Sequence, residues 1–242
     1  MAKLNTNGNV YTIVYAAIMV IIVAFLLAFV ASALKDTQNK NVALDTKKQI
    51  LAALNIRDCE DADAKYNEVV APGDLNRDTL TAVVNGEEKL VVRVKGAGLW
   101  GGIWGWVSIN KDGKTVFGTF FNHESETAGL GARIKDDQSF QDAFQNKQIF
   151  DADGNVALSV LKKGKEGNLG QEFIVEAVTG ATLTSNGVND MIQAGLKQYA
   201  DVIKAFAGEA APEAEAIPEV EEYEKIETID KPIEPKVEEM ED

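Results

Sequence analysis

The chain has 242 residues, 45% of them apolar and 26% charged, and its 38 acidic and 24 basic residues give a net charge of −14. One cysteine excludes an internal disulfide framework, and one cysteine with one histidine excludes a closed zinc site or a self-contained iron–sulfur cluster. The acidity speaks against nucleic acid as a partner, because affinity there rests on Lys and Arg neutralising phosphates.

In chain order, residues 1–9 are a short N-terminal segment. Val10 to Leu34 is an uncharged run of 25 residues. At ~1.5 Å per residue it spans the ~30 Å core of a bilayer with some tilt. Ala31-Ser32-Ala33 resembles a signal-peptide cleavage site, but the apolar part of a signal peptide is only ~7–15 residues and follows a positive segment. The run therefore reads as an uncleaved transmembrane helix (10–34) in contact with membrane lipid. Ala17, Ala24, Ala28 and Ala31 recur on one helical face, the pattern expected where helices approach closely in lipid. Lys35, Lys40, Lys47 and Lys48 follow the span, and by the positive-inside rule they lean towards a cytoplasmic C-terminal side.

Residues 35–208 suffice for one domain with a sizeable core. A helix is expected over about 41–54, then strands over 80–84, 90–94, 103–109, 115–121 and 173–178. Asn110-Lys111-Asp112-Gly113-Lys114 supplies a hairpin turn between the third and fourth strands. A final helix is expected over about 186–206, with Val188, Ile192, Leu196, Tyr199, Ile203 and Phe206 at steps of three and four. The fold class is α+β: a transmembrane helix, one mixed domain and a tail. In that tail, residues 209–242, 14 acidic residues face 3 basic ones, so −11 of the net charge resides there with four of the five prolines. It reads as a solvated, disordered segment.

Three stretches have the composition of a ligand site. Gly96–Trp106 combines dense glycine, which lets backbone approach a planar ligand, with Trp100, Trp104 and Trp106 as stacking area. Its alternative is a glycine-kinked strand with tryptophans in the core. Asn122–Arg133 packs His123, hydroxyl and carboxylate side chains and two glycines into one loop after a strand. Its alternative is a polar turn, with His123 a loop histidine rather than a base. Glu176–Asn186 is a strand end, a run of small and hydroxylated residues and a helix start, a junction whose free N–H groups suit a phosphate. Its alternative is an ordinary helix start capped by Thr184 or Ser185.

Thr179-Gly180-Ala181-Thr182-Leu183-Thr184-Ser185 resembles the flavin attachment motif of the FMN-binding domain family, as found in the subunit lettered C of the Na+-translocating NADH:quinone reductase. Thr12–Ala17, Asp45–Ala53, Gly98–Gly101 and His123–Gly131 occur in the order of that subunit, so the resemblance covers roughly residues 10–206. It implies FMN joined covalently, by a phosphoester to Thr182, and put in place by a flavin transferase. It further implies an electron carrier that takes electrons from an iron–sulfur centre and passes them to another flavin on the way to quinone. Partners would be the other membrane and peripheral subunits of the complex. The soluble domain would face the periplasm from the bacterial inner membrane. On the resemblance, Glu126, Thr127, Gly129, Leu130 and Gly131 line the isoalloxazine side with Trp100. Thr179, Gly180, Ala181, Thr182 and Thr184 hold phosphate and ribityl. No metal ligand and no catalytic residue is expected. Glu176 stands where the motif usually has Asp, and Ala128 where the loop commonly has Pro. Two other readings stay open: the related subunit lettered G of a ferredoxin:NAD oxidoreductase complex, and a membrane-anchored binding module without flavin.

Overall fold

The structure is a computed structural model that describes residues 8–208; the acidic tail lies outside the described residues. Its first element, α1 (Asn9–Ala53), is a single helix of 45 residues. At ~1.5 Å per residue it is about 68 Å long, over twice what a bilayer core requires. The transmembrane helix and the helix expected over 41–54 are therefore one element. No Gly or Pro occurs between Gly8 and Pro72, so nothing in that stretch interrupts the backbone when the sequence turns polar at Lys35. The N-terminal part is long and apolar enough to cross a membrane, with no part of its most hydrophobic window buried in the protein. The last turns have the opposite character: Ile50, Leu51, Ala53 and Leu54 are fully buried. The helix ends at Ala53, and two residues on the chain turns at Asn55, whose positive φ of 60° is tolerated by asparagine and whose side-chain amide donates to the Phe117 carbonyl at 2.8 Å.

A four-stranded antiparallel sheet follows in the order β1 (Thr79–Val84), β2 (Glu87–Ala97), β3 (Gly102–Ile109), β4 (Val116–His123). Asn85-Gly86, both at positive φ, turns β1 into β2, and Asp112 closes the β3–β4 turn by accepting the Lys114 and Thr115 N–H groups. Burial pushes the Asp112 carboxyl up, but the Thr115 hydroxyl and these two N–H groups outweigh it and hold it below the usual carboxylate range.

Alternation along β2 divides the core. Val91 joins Leu80, Ala82, Trp106, the end of α1 and α2 (Ala62–Val69) on one face. Val92 and Val94 face the other side with α3 (Arg133–Asp136), α4 (Gln138–Asp142) and α5 (Thr182–Gln198). The buried Ser108 hydroxyl pins α1 to the sheet, with Oγ 2.5 Å from the Ala53 carbonyl. A short parallel pair, β5 (Ser159–Leu161) and β6 (Ile174–Glu176), lies outside this sheet, and α6 (Ala200–Ala207) follows α5. The helix expected over 186–206 thus begins four residues earlier and is interrupted at Tyr199.

The packing of α5 on β2 decides where the helix starts. Gly195 sits against Val94, Met191 against Gly96 and Gly187 against the Ala97 carbonyl, so the helix runs antiparallel to the strand at close range. A Cβ at Gly195 would come 2.5 Å from Val94 Cγ1, and one at Gly187 would overlap the carbonyl oxygen. This brings the N-terminus of α5 to the end of the sheet where β2 stops, β3 starts and β4 ends.

Candidate functional site

All three singled-out stretches meet at that end. The turn between β2 and β3 is Gly98–Gly101, the loop after β4 runs through Glu126 to α3, and α5 opens beside both. Glu126 joins them. Its Oε1 accepts the Trp100 N–H at 2.9 Å and its Oε2 accepts the Thr184 hydroxyl at 2.6 Å, with only 7% of the residue exposed. The Ser125 hydroxyl donates to the Trp100 carbonyl at 2.9 Å, and the Glu126 N–H donates to His123 Nδ1 at 3.1 Å. His123, the last residue of β4, is therefore engaged in shaping the turn.

The first turn of α5 is the chemically open part. Ala181 occupies the N-cap position and supplies no side-chain hydrogen bond. The two residues expected to cap are buried and turned inward: Thr184 donates to Glu126, and Ser185 Oγ accepts the Val178 N–H at 3.0 Å. Thr182 is the first helical residue and is exposed. A helix start without a cap offers backbone N–H groups and a positive dipole end to an anion. Gly180, at φ 84°, turns the chain into this helix with Leu130 Cδ2 3.2 Å from where a Cβ would lie. Thr179 is exposed beside it, as is Glu176 at the end of β6.

Around this anion seat the surface is apolar. Outside α1, six large hydrophobic side chains are strongly exposed among the described residues, and four of them, Leu99, Trp100, Leu130 and Leu183, belong to these stretches. Such clustering marks a surface meant to be covered. Trp100 is 66% exposed, whereas Trp106 is in the core and Trp104 donates to Gln49 of α1 at 3.1 Å. The core reading thus holds for Trp106, while Trp100 stays exposed. The glycines do not serve ligand approach in the way expected. Gly96, Gly98, Gly101 and Gly105 are crowded by Met191, Glu126, Ser125 and Phe121, so they are needed for packing within the protein. Cavities of about 490 Å³, lined by Gln49, Arg57 and Gln141 among others, and of about 610 Å³, lined by Asn55, Lys65 and Phe117 among others, lie elsewhere. An open apolar shelf beside an anion seat fits a planar group carrying a phosphate.

Known proteins point the same way. The model of the FMN-binding domain matches residues 98–197, from the Trp100 turn to the end of α5. NqrC of Chlamydia muridarum, the subunit lettered C of its Na(+)-translocating NADH-quinone reductase, is 35% identical over 133 residues, covering 50% of this chain and 42% of the relative. The corresponding subunit of Haemophilus ducreyi is 28% identical over 86% of this chain and 99% of its own length. The crystal structure of the same subunit from Parabacteroides distasonis superposes with a TM-score of 0.64 at 31% identity, covering 70% of this chain and 96% of that one. The chain belongs to the NqrC family. It spans less than half the length of the chlamydial relative. Every candidate site residue falls within the matched FMN-binding domain of this NqrC family member, and the apolar part of α1 is consistent with a membrane anchor.

Sequence reasoning overlooked Gly187 and Met191, which set the height of α5 on β2. Their signal was an isolated glycine inside a helical pattern, which usually has a packing reason.

Proposed function

We propose that this chain is the flavin-carrying, electron-transfer subunit of a membrane-bound Na+-translocating NADH:quinone reductase, with FMN esterified through its phosphate to Thr182. The observation that carries this reading is the uncapped first turn of α5, with an exposed threonine hydroxyl at its first position. The N–H groups of that turn neutralise phosphate charge, and Gly180 and Ala181 keep bulk away from the Thr182 Oγ. Thr179 flanks the phosphate and ribityl chain, and Thr184, whose hydroxyl is held by Glu126, contributes through its backbone N–H. Thr127, Gly129, Leu130 and Gly131 supply the backbone of the isoalloxazine side, and Trp100 its exposed wall. When bound, the flavin supplies the redox chemistry, and the domain fixes its position and surroundings.

Attachment is a phosphoryl transfer supplied by a flavin transferase. A P–O bond forms to Thr182 Oγ, the pyrophosphate bond of FAD breaks, AMP leaves and the hydroxyl proton is lost to a base of the transferase. The exposure of Thr182 and Glu176 suits recognition by such an enzyme. Electrons would arrive from an iron–sulfur centre of a neighbouring subunit and leave to another flavin on the way to quinone. The proposed orientation places the domain in the periplasm. Lys47 supports it, because this lysine pairs with Asp63 at 2.6 Å and lies over the Tyr66 ring, and so belongs to the domain rather than to a free juxtamembrane cluster.

The test is the intact mass of the chain from its native membrane beside that of Thr182→Ala. A gain of FMN less one water in the wild type, absent from the variant, is expected. An unmodified wild type in cells with active transferase overturns the covalent attachment and favours an anchored binding module.

A further inference from the structure

We propose that Glu126 is the positioning residue of the flavin seat: a buried carboxylate strut that locks the Trp100 turn to the first turn of α5. The inference rests on the reading of α5 as the seat, and it assigns Glu126 a role different from lining the isoalloxazine.

The geometry separates the two roles. Both carboxylate oxygens are taken by protein donors, Oε1 by the Trp100 N–H and Oε2 by the Thr184 hydroxyl. Both are enclosed by backbone that has no side chain. A Cβ at Gly98 would overlap Oε1, and a Cβ at Gly131 would overlap Oε2 and come 2.6 Å from Thr184 Oγ1. The carboxylate therefore faces protein on both sides, and it acts on a ligand only through what it holds. What it holds are two walls of the proposed seat: the turn that presents Trp100, and the third residue of the helix whose first residue is Thr182. These partners lie 26 and 58 residues away in sequence, so no local hydrogen bond fixes their relative position. The Glu126 main chain is itself tied to His123 Nδ1, which anchors the strut to the end of β4. A charged acceptor at a helix N-terminus is favoured by the dipole. An acid is thus tolerated in a nearly buried position beside a seat built for an anion.

The experiment uses the full chain in detergent, prepared without transferase so that Thr182 is bare, in four forms: wild type, Glu126→Ala, Glu126→Gln and Thr184→Val. Hydrogen exchange at the Trp100 amide reports the strut directly. In Glu126→Ala the protection of that amide should fall by about tenfold or more, because its acceptor is gone. Glu126→Gln should remain within roughly threefold of wild type, since the amide oxygen still accepts from Trp100 and its N–H can donate to Thr184 Oγ1. Each form is then treated with transferase and FAD, and covalent flavin is measured. Attachment should be retained in Glu126→Gln, reduced in Thr184→Val and lowest in Glu126→Ala.

Unchanged Trp100 protection in Glu126→Ala overturns the proposal. So does a Glu126→Gln variant that loses protection and flavin as completely as Glu126→Ala, because charge rather than bridging would then be responsible. Thr184→Val tests the same strut from its other end should Glu126→Ala fail to fold. If the wild type itself takes no flavin, the functional reading fails while the exchange measurement still decides the strut.

Discussion

Helices α2 and α5 begin in opposite ways. At α2, Asp61 accepts the N–H groups of Asp63 and Ala64, each at 3.0 Å, and Asp137 does the same for Ser139 at the start of α4 at 3.1 Å. At α5 the cap position holds Ala181, and the nearby hydroxyls that could have served are turned into the protein. A side-chain cap is not universal among the other helices, since α1, α3 and α6 also lack one. What sets α5 apart is that its uncapped start places an exposed threonine beside an exposed apolar shelf. An unmet helix start is costly unless water or a ligand meets it, and on the proposed reading the phosphate of FMN meets this one.

The largest effect on this contrast should come from Gly131→Ala. The added Cβ would push against Glu126 Oε2 and Thr184 Oγ1, displacing the group that sets the height of the first turn of α5. A loss of ~1–3 kcal/mol of stability is expected from overpacking, together with most of the covalent flavin. Gly129→Ala is the matched control two residues away. Nothing lies within 4 Å of its Cβ position, but its φ of 75° is left-handed, so the cost should be ~1 kcal/mol of backbone strain with Glu126 undisturbed. Thermal unfolding and in-gel flavin fluorescence of the two variants separate crowding from strain. Equal flavin loss in both would show that loop conformation, not the strut, governs the seat.

How much of this was legible in the sequence depends on distance along the chain. The strands and the hairpin at Asp112 follow from alternation and turn residues that are local, and the sheet strands overlap their expected positions, while the fifth, expected over 173–178, reduces to Ile174–Glu176. The three ligand-site stretches were visible as compositions. Their meeting was not, because it depends on a carboxylate reaching 58 residues to Thr184 and on α5 sliding onto β2 through Gly187 and Gly195. The two hydrogen bonds of Glu126 were hidden for the same reason: a loop glutamate reads as a ligand contact until its burial is known. The continuity of α1 was legible and overlooked. Polarity changes at Lys35, but helix formation depends on the absence of Gly and Pro, which persists to Pro72. The pieces α3, α4 and β5, of three to five residues, are too short for any periodicity to register.

A smaller effect breaks the comparison from the other side. Asp61→Ala removes the cap of α2 and should cost ~1 kcal/mol of stability. Covalent flavin should be unchanged, because α2 packs on the face of the sheet opposite α5. Chemical denaturation and intact mass on one preparation check both halves. A drop in flavin would mean that the two helix starts are coupled through the sheet.

The smallest effect is a pH dependence that α4 should have and the bare start of α5 should lack. The Ser139 hydroxyl, then the Arg133 guanidinium at 2.6 Å, hold the Asp137 carboxyl below its ordinary value of 3.8 against a small opposing effect of burial. A carboxyl lowered on folding stabilises where it is ionised in both states. That contribution is complete above 3.8 and is lost as the pH falls through the folded value. Protection of the Ser139 amide, corrected for the intrinsic pH dependence of exchange, should therefore decline by roughly threefold as the pH is lowered from about 5 to about 3. Asp137→Asn should abolish the decline, since an amide caps without titrating. The Thr182 and Leu183 amides of the unflavinylated chain have no carboxylate to lose and should exchange with little protection across the same range. If they instead gain protection at neutral pH in the Thr182→Ala chain, something in the protein is capping α5, and the helix start is not reserved for a phosphate.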